Sequence, residues 1–162
     1  MTCIDAHEIT PGLWQGSIPP TGSELERAGF TVLVLCAQDY QFQGEDYLFP
    51  GVRIVRAPNV DDYYEELTRE VAITAAKEVV QEVVREGKAL VTCVAGLNRS
   101  GLVSALTLHL LYGWPGKKCI QQVRRKRMTV ILHPQHYPLS NPKFVEALEA
   151  LPERPPMIPE PR

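Results

Sequence analysis

The sequence predicts an α/β domain with a central, mostly parallel, twisted sheet flanked by helices, and three observations carry that expectation. Phe30 to Cys36 and Ala89 to Thr92 are continuous apolar runs of the kind that form strands buried on both faces. Helical patterns alternate with these runs, the longest over Glu65 to Glu86. Neither an internal repeat nor an interdomain linker breaks the 162 residues, and 44% hydrophobic with 22% charged content suits one core.

Taken in order, Glu8 to Gly16 reads as a short strand with a turn at Pro11-Gly12, and Ser23 to Ala28 as a short helix closed by Gly29. The Phe30 to Cys36 strand is followed by a shorter one at Val52 to Arg56. Between Glu65 and Glu86, Leu67, Val71, Ala75, Val79 and Val83 recur every four residues with charges between them, which predicts a long amphipathic helix stopped by Gly87. Ser100 to Tyr112 is an apolar helix ended by Gly113, and Pro115 to Arg127 is another with a basic end. Asn141 before Pro142 supplies a cap and first turn for a last helix through Leu151. One domain is expected over residues 1–151, with the proline-rich tail 152–162 expected to be disordered.

A formal net charge of -2 excludes a polycation built to coat nucleic acid or an anionic membrane, so any anion site must be local. Leu102 to Tyr112 and Ala89 to Val94 are too short to span a bilayer, and the N-terminus lacks a charged region followed by an apolar run. A soluble cytoplasmic protein without a membrane partner is expected. Cys3, Cys36, Cys93 and Cys119 show no C-x-x-C pair, and His7, His109, His133 and His136 no ligand pattern. The expectation is therefore no metal, no cofactor and no disulfide scaffold.

The chemistry sits between a buried strand and an apolar helix, in Cys93-Val94-Ala95-Gly96-Leu97-Asn98-Arg99-Ser100-Gly101. Backbone amides of such a loop converge on one point and bind an anion. A cysteine at its floor faces several N–H dipoles and the positive end of a helix, which favours the nucleophilic thiolate. Arg99 can fold back over the cradle and offer a planar fork to two phosphoryl oxygens, and Ser100 can donate to the sulfur as it leaves a phosphoenzyme. Gly96 lets the backbone turn where a side chain would block approach.

Cys93, Gly96, Arg99 and Ser100 reproduce the Cys-x5-Arg-Ser/Thr signature of the protein tyrosine phosphatase superfamily, and the chain resembles its dual-specificity branch. Residues 8–17 resemble the opening strand of that branch and residues 141–148 its closing Asn-x-x-Phe helix, so the likeness covers residues 8–148. The resemblance implies the fold of these phosphatases and a cysteinyl-phosphate intermediate, with Cys93 as nucleophile and Val94 to Arg99 binding phosphate. It further implies a general acid ahead of the long helix, where Asp61 and Asp62 lie 32 and 31 positions before Cys93. Asp61 is favoured and Asp62 is the alternative; either could instead cap the helix. Thr92 departs from the family, which usually carries His there.

The expected substrate is a phosphorylated protein or another phosphomonoester, carrying phosphotyrosine and also phosphoserine or phosphothreonine. Gly96-Leu97-Asn98-Arg99 resembles RNA-phosphatase members too, so an RNA 5′-triphosphatase or diphosphatase is the alternative, and only there would nucleic acid be a partner. Phosphoinositide phosphatases rank third, because Val94, Ala95, Leu97 and Asn98 are neutral; a catalytically weak phosphate-binding module ranks last. Cys36 and Cys119 read as core residues, with Cys36 as a resolving thiol for Cys93 the sharper alternative. The run Arg124 to Arg127 reads as a solvated helix end, or with Lys117 and Lys118 as a grip on an anionic substrate.

Overall fold

The computed structural model describes residues 4–21, 23–37, 51–59, 66–127 and 136–162. Its five strands are β1 (Ala6–Thr10), β2 (Leu13–Gly16), β3 (Val32–Ala37), β4 (Arg53–Asn59) and β5 (Ala89–Thr92). The helices are α1 (Glu24–Arg27), α2 (Glu66–Val84), α3 (Arg99–Tyr112), α4 (Gly116–Lys126) and α5 (Pro142–Glu149). The strands form one sheet in the order β1-β2-β5-β3-β4, with β2, β5, β3 and β4 mutually parallel and β1 antiparallel on the edge.

The two apolar runs become the centre of this sheet, where every residue of β3 and β5 is buried. Their alternating side chains feed two cores. Val32, Val34, Cys36, Ala89, Val91 and Cys93 join the large cluster with α2, α3, α4 and α5. Leu33, Leu35 and Leu90 join a smaller one with Leu25 of α1, Phe30 and Val52.

Three expectations change. Residues 8–16 form a hairpin of two strands instead of one, because the two-residue turn with Gly12 at φ 85 folds the chain back on itself. Helix α2 packs through most of its every-fourth series, with Ala75 and Val79 buried and Val71 and Val83 half-buried against the large core, but Leu67 falls off that face. Leu67 is 69% exposed, whereas Thr68, Ala72, Ala75, Ala76, Val79 and Val80 are buried. A series stepped only by four drifts about 40° per step around a helix of 3.6 residues per turn, so it cannot stay on one face. The buried set mixes steps of three and four.

The third change concerns the tail. Residues 152–162 contain no helix or strand, yet they are laid on the domain. The Arg154 N–H donates to Gly113 O, and those of Met157 and Ile158 donate to Leu111 O. Carbonyls at the end of α3 lack intrahelical donors, and the tail supplies them. Ile158 packs against the large core, and the Trp114 indole donates to Glu160. That bond, with Lys118 beside it, holds the Glu160 carboxyl below its ordinary range.

Helix α2 ends in a left-handed residue, but that residue is Glu86 at φ 64, one position before Gly87. The Glu86 N–H donates to Val83 O and the Gly87 N–H to Glu82 O, the paired bonds of a glycine-type helix stop. Glu86→Gly removes the left-handed penalty and a negative charge at the helix C-terminus. It is expected to stabilise the fold by about 0.5–1 kcal/mol after the entropy cost of glycine, measured by denaturant titration.

Candidate active site

β5 ends at Thr92 in the middle of the sheet, and α3 begins at Arg99, so the intervening loop sits at the carboxyl ends of parallel strands. Thr92 is fully buried and its hydroxyl donates to Val34 O at 2.8 Å. The departure from His thus turns this side chain into a tie between β5 and β3.

The loop carbonyls are held from outside, one after another. Val94 O accepts from the Ile18 N–H at 3.3 Å, and Leu97 O from the Leu139 N–H at 3.1 Å. Ala95 O accepts from Arg127 at 3.3 Å, while Gly96 O accepts from Arg127 Nε at 2.9 Å and Gln15 Nε2 at 3.0 Å. In a planar trans peptide the carbonyl and the following N–H point opposite ways. Four outward carbonyls therefore turn the N–H groups of Ala95, Gly96, Leu97 and Asn98 to the other side of the loop.

Gly96 makes this arrangement possible. It sits at φ 70, and a Cβ there would collide with the carbonyl of Gly16 and with Arg127. The far end of the loop is also fixed. Asn98 Oδ1 accepts from the Asn141 N–H at 2.9 Å, while Asn98 Nδ2 lies 3.2 Å from Ser140 Oγ. Asn141 meanwhile caps α5 through the Lys143 and Phe144 N–H groups.

Inside the loop lies a cavity of ≈ 300 Å³, lined by Cys93, Val94, Ala95, Leu97, Asn98, Arg99, His136 and Ser140. Cys93 is 2% exposed, and its Sγ is 3.3 Å from Ser100 Oγ. Arg99 is 9% exposed; its NH1 donates to Asn59 O at 3.4 Å, and its buried Nε has no hydrogen-bond partner among the described residues. The sequence-predicted Cys93, Arg99 and Ser100 thus converge with the loop Val94 to Asn98. Asp61 and Asp62 lie outside the described residues, as do Cys3 and His133; the described chain reaches Arg99 through Asn59, at the end of β4.

Cys36 follows Leu35, which pairs with Thr92, so it lies beside Cys93 on the neighbouring strand and on the same face. Burial, then the neighbouring Cys93, push its thiol well above the usual range. Adjacent strands meet the Cα separation a disulfide requires. Cys119 is a core residue whose thiol burial raises to about 12. His109 is likewise a satisfied core histidine, its Nδ1 2.7 Å from Trp114 O.

The basic run divides. Arg125 is exposed and, among the described residues, bonds within α4 to Gln122, whereas Arg124 donates to Pro138 O and Leu139 O. Arg127 is 1% exposed, against the expectation of a solvated helix end, because Gly116, Cys119, Ile120 and Val123 put it on the buried face of α4. Gln15, Arg127, Ser140 and His136 were missed by the sequence reading. For Arg127 the stripe of α4 was a usable signal; the other three come from distant segments and had none.

No protein-family model matches the sequence, and neither does any curated protein. Solved structures do. Human DUSP28 is 27% identical over 91% of this chain and 95% of its own, with a TM-score of 0.67. A mouse putative dual specificity phosphatase, solved with zinc tungstate, is 26% identical over 91% of this chain and 88% of its own, with a TM-score of 0.67. Tk-PTP in its active form shares the fold at a TM-score of 0.70, with 22% identity over 90% of this chain and 96% of its own. The parallel sheet, the cysteine at its carboxyl edge and these likenesses lead to one reading: the chain has the fold of the protein tyrosine phosphatase superfamily and is similar to dual-specificity phosphatases, which supports a cysteine-dependent phosphatase.

Proposed function

We propose that this phosphatase removes phosphoryl groups from proteins, acting on phosphotyrosine and also on phosphoserine and phosphothreonine, through a cysteinyl-phosphate intermediate. The observation that carries the reading is the cradle of N–H groups from Ala95 to Asn98 beside the Cys93 sulfur. A tetrahedral dianion fits such a nest, and the orphaned Arg99 Nε is a donor that a phosphoryl oxygen would satisfy. Cys93 Sγ attacks phosphorus, the ester P–O bond breaks, and the departing oxygen takes a proton from Asp61, with Asp62 as the alternative donor. Water then attacks phosphorus with that carboxylate as base. The S–P bond breaks and Ser100 Oγ donates to the released sulfur, from the 3.3 Å separation already present. Chemistry on a reduced cysteine suits a cytoplasmic setting.

Neutral side chains at Val94, Ala95, Leu97 and Asn98 support a single phosphate as the recognised group. The test offers phosphotyrosine, phosphoserine and phosphothreonine peptides, a 5′-triphosphorylated RNA and a phosphoinositide to wild type and Cys93→Ser. The highest kcat/KM is expected on phosphopeptides; a preference for RNA or lipid overturns the protein substrate. For the acid, Asp61→Asn is expected to slow a poor leaving group such as tyrosine about 10²–10⁴-fold and p-nitrophenolate much less. Asp62→Asn should do little. If neither change slows the poor leaving group, the carboxylate assignment is wrong.

A further inference from the structure

The loop that turns its N–H groups toward the cavity is gripped from behind by one buried cation. Arg127 extends from the C-terminal end of α4 with its side chain wholly buried, and all five of its N–H donors are used. Nε donates to Gly96 O at 2.9 Å. NH2 donates to Ala95 O at 3.3 Å and to Asp5 Oδ2 at 2.8 Å, while NH1 donates to Asp5 Oδ1 at 2.9 Å and to His7 Nδ1 at 2.8 Å. The edge strand β1, its approach at Asp5 and the loop thereby share one planar guanidinium.

We propose that Arg127 is a positioning residue for the reaction: by pinning the Ala95 and Gly96 carbonyls outward, it aims the Gly96 and Leu97 N–H groups at the phosphoryl oxygens. The inference rests on the phosphate-binding reading of the loop and goes beyond the residues that touch the phosphate. Two carbonyls separated by one peptide unit need two donors in a fixed plane. A guanidinium provides them; an ammonium, a single point with three donors, cannot also keep both Asp5 oxygens. Asp5 is bonded and paired to Arg127, which holds its carboxyl down to about 2. The pair therefore stays charged through neutral pH, and His7 must accept from Arg127 through an unprotonated Nδ1.

The ion pair leaves little net charge behind the loop, so the contribution is orientation more than field. N–H groups swung off target lose contact with the bound dianion and with the transition state alike. Inorganic vanadate affinity and kcat/KM should then fall together.

The test compares wild type, Arg127→Lys, Arg127→Ala and Asp5→Asn, each at a temperature where circular dichroism shows it folded. Arg127→Lys is expected to weaken vanadate inhibition and lower kcat/KM on p-nitrophenyl phosphate by about 10- to 100-fold, in line with losing aligned oxyanion donors. Asp5→Asn leaves the loop bonds in place and should change both by less than about threefold. In Arg127→Ala, millimolar guanidinium should restore part of the activity while equal methylammonium does not. Arg85→Ala, in the exposed turn that follows α2, is the charge control and should match wild type.

If folded Arg127→Lys binds vanadate and turns over within about twofold of wild type while only its melting temperature drops, Arg127 is structural and the inference fails. Should Arg127→Ala not fold, Arg127→Lys alone decides. A wild type that binds vanadate without hydrolysing any phosphomonoester removes the proposed reaction but keeps the positioning role if Arg127→Lys loses the anion. A wild type that binds no tetrahedral anion removes both.

Discussion

Cys93→Ser is expected to lower turnover of p-nitrophenyl phosphate by at least about 10³-fold while leaving inorganic phosphate bound. The two roles separate because they come from different atoms. Attack needs a sulfur anion at the floor of the cavity, and a serine hydroxyl, ionising far above neutral pH, cannot supply the equivalent oxyanion. Binding comes from loop N–H groups and Arg99, which the replacement of sulfur by oxygen leaves in place. The sulfur sits 3.3 Å from Ser100 Oγ, and oxygen at that position fills less space without opening a large void. Steady-state rates and calorimetric phosphate titration check both halves. Residual turnover above about a tenth of wild type would remove Cys93 as nucleophile.

Arg99→Lys is the second change expected to act strongly, lowering kcat/KM by about 10²- to 10³-fold despite keeping the charge. Arg99 lines the cavity with a guanidinium whose NH1 is anchored at Asn59 O, so the plane of the fork is set before substrate arrives. Lysine has no plane to set. Nε of Arg99 is also a buried donor without a partner among the described residues, a cost that bound phosphate removes. Loss of Arg99 should therefore hurt activity far more than stability. A melting temperature that falls by more than a few degrees while kcat/KM stays near wild type would contradict this.

The parts of the fold that were legible in the sequence are those where local pattern and global environment agree. Val32 to Ala37 and Ala89 to Thr92 are buried on both faces, so apolar content alone marks them, and Gly113 at φ 68 ends α3 where a glycine stop is expected. Cys93, Arg99 and Ser100 are legible for a related reason: six consecutive peptides between a strand and a helix nearly determine where their side chains go. What was not legible depends on contacts across the chain. The basic run at 124–127 looks uniform in sequence, yet one of its members is drawn inside by Asp5, 122 positions away. The proline-rich tail looks unstructured because it lacks apolar mass, but its order comes from carbonyls at the end of another element. Leu67 looks like core and is not, because the buried face of α2 runs through Thr68, Ala72, Ala75, Ala76, Val79 and Val80 and leaves it outside.

The strapped tail also gives the protein an optical consequence. Of its two tryptophans, Trp14 stands edge-on to Phe30 at 5.9 Å with Lys88 above it, on the small-core side. Trp114 lies under the tail, joined to Glu160 and capped by Lys118 at 4.0 Å. Removing Trp14 would leave a lone indole whose emission colour reports lifting of the C-terminal strap in real time, without any attached dye.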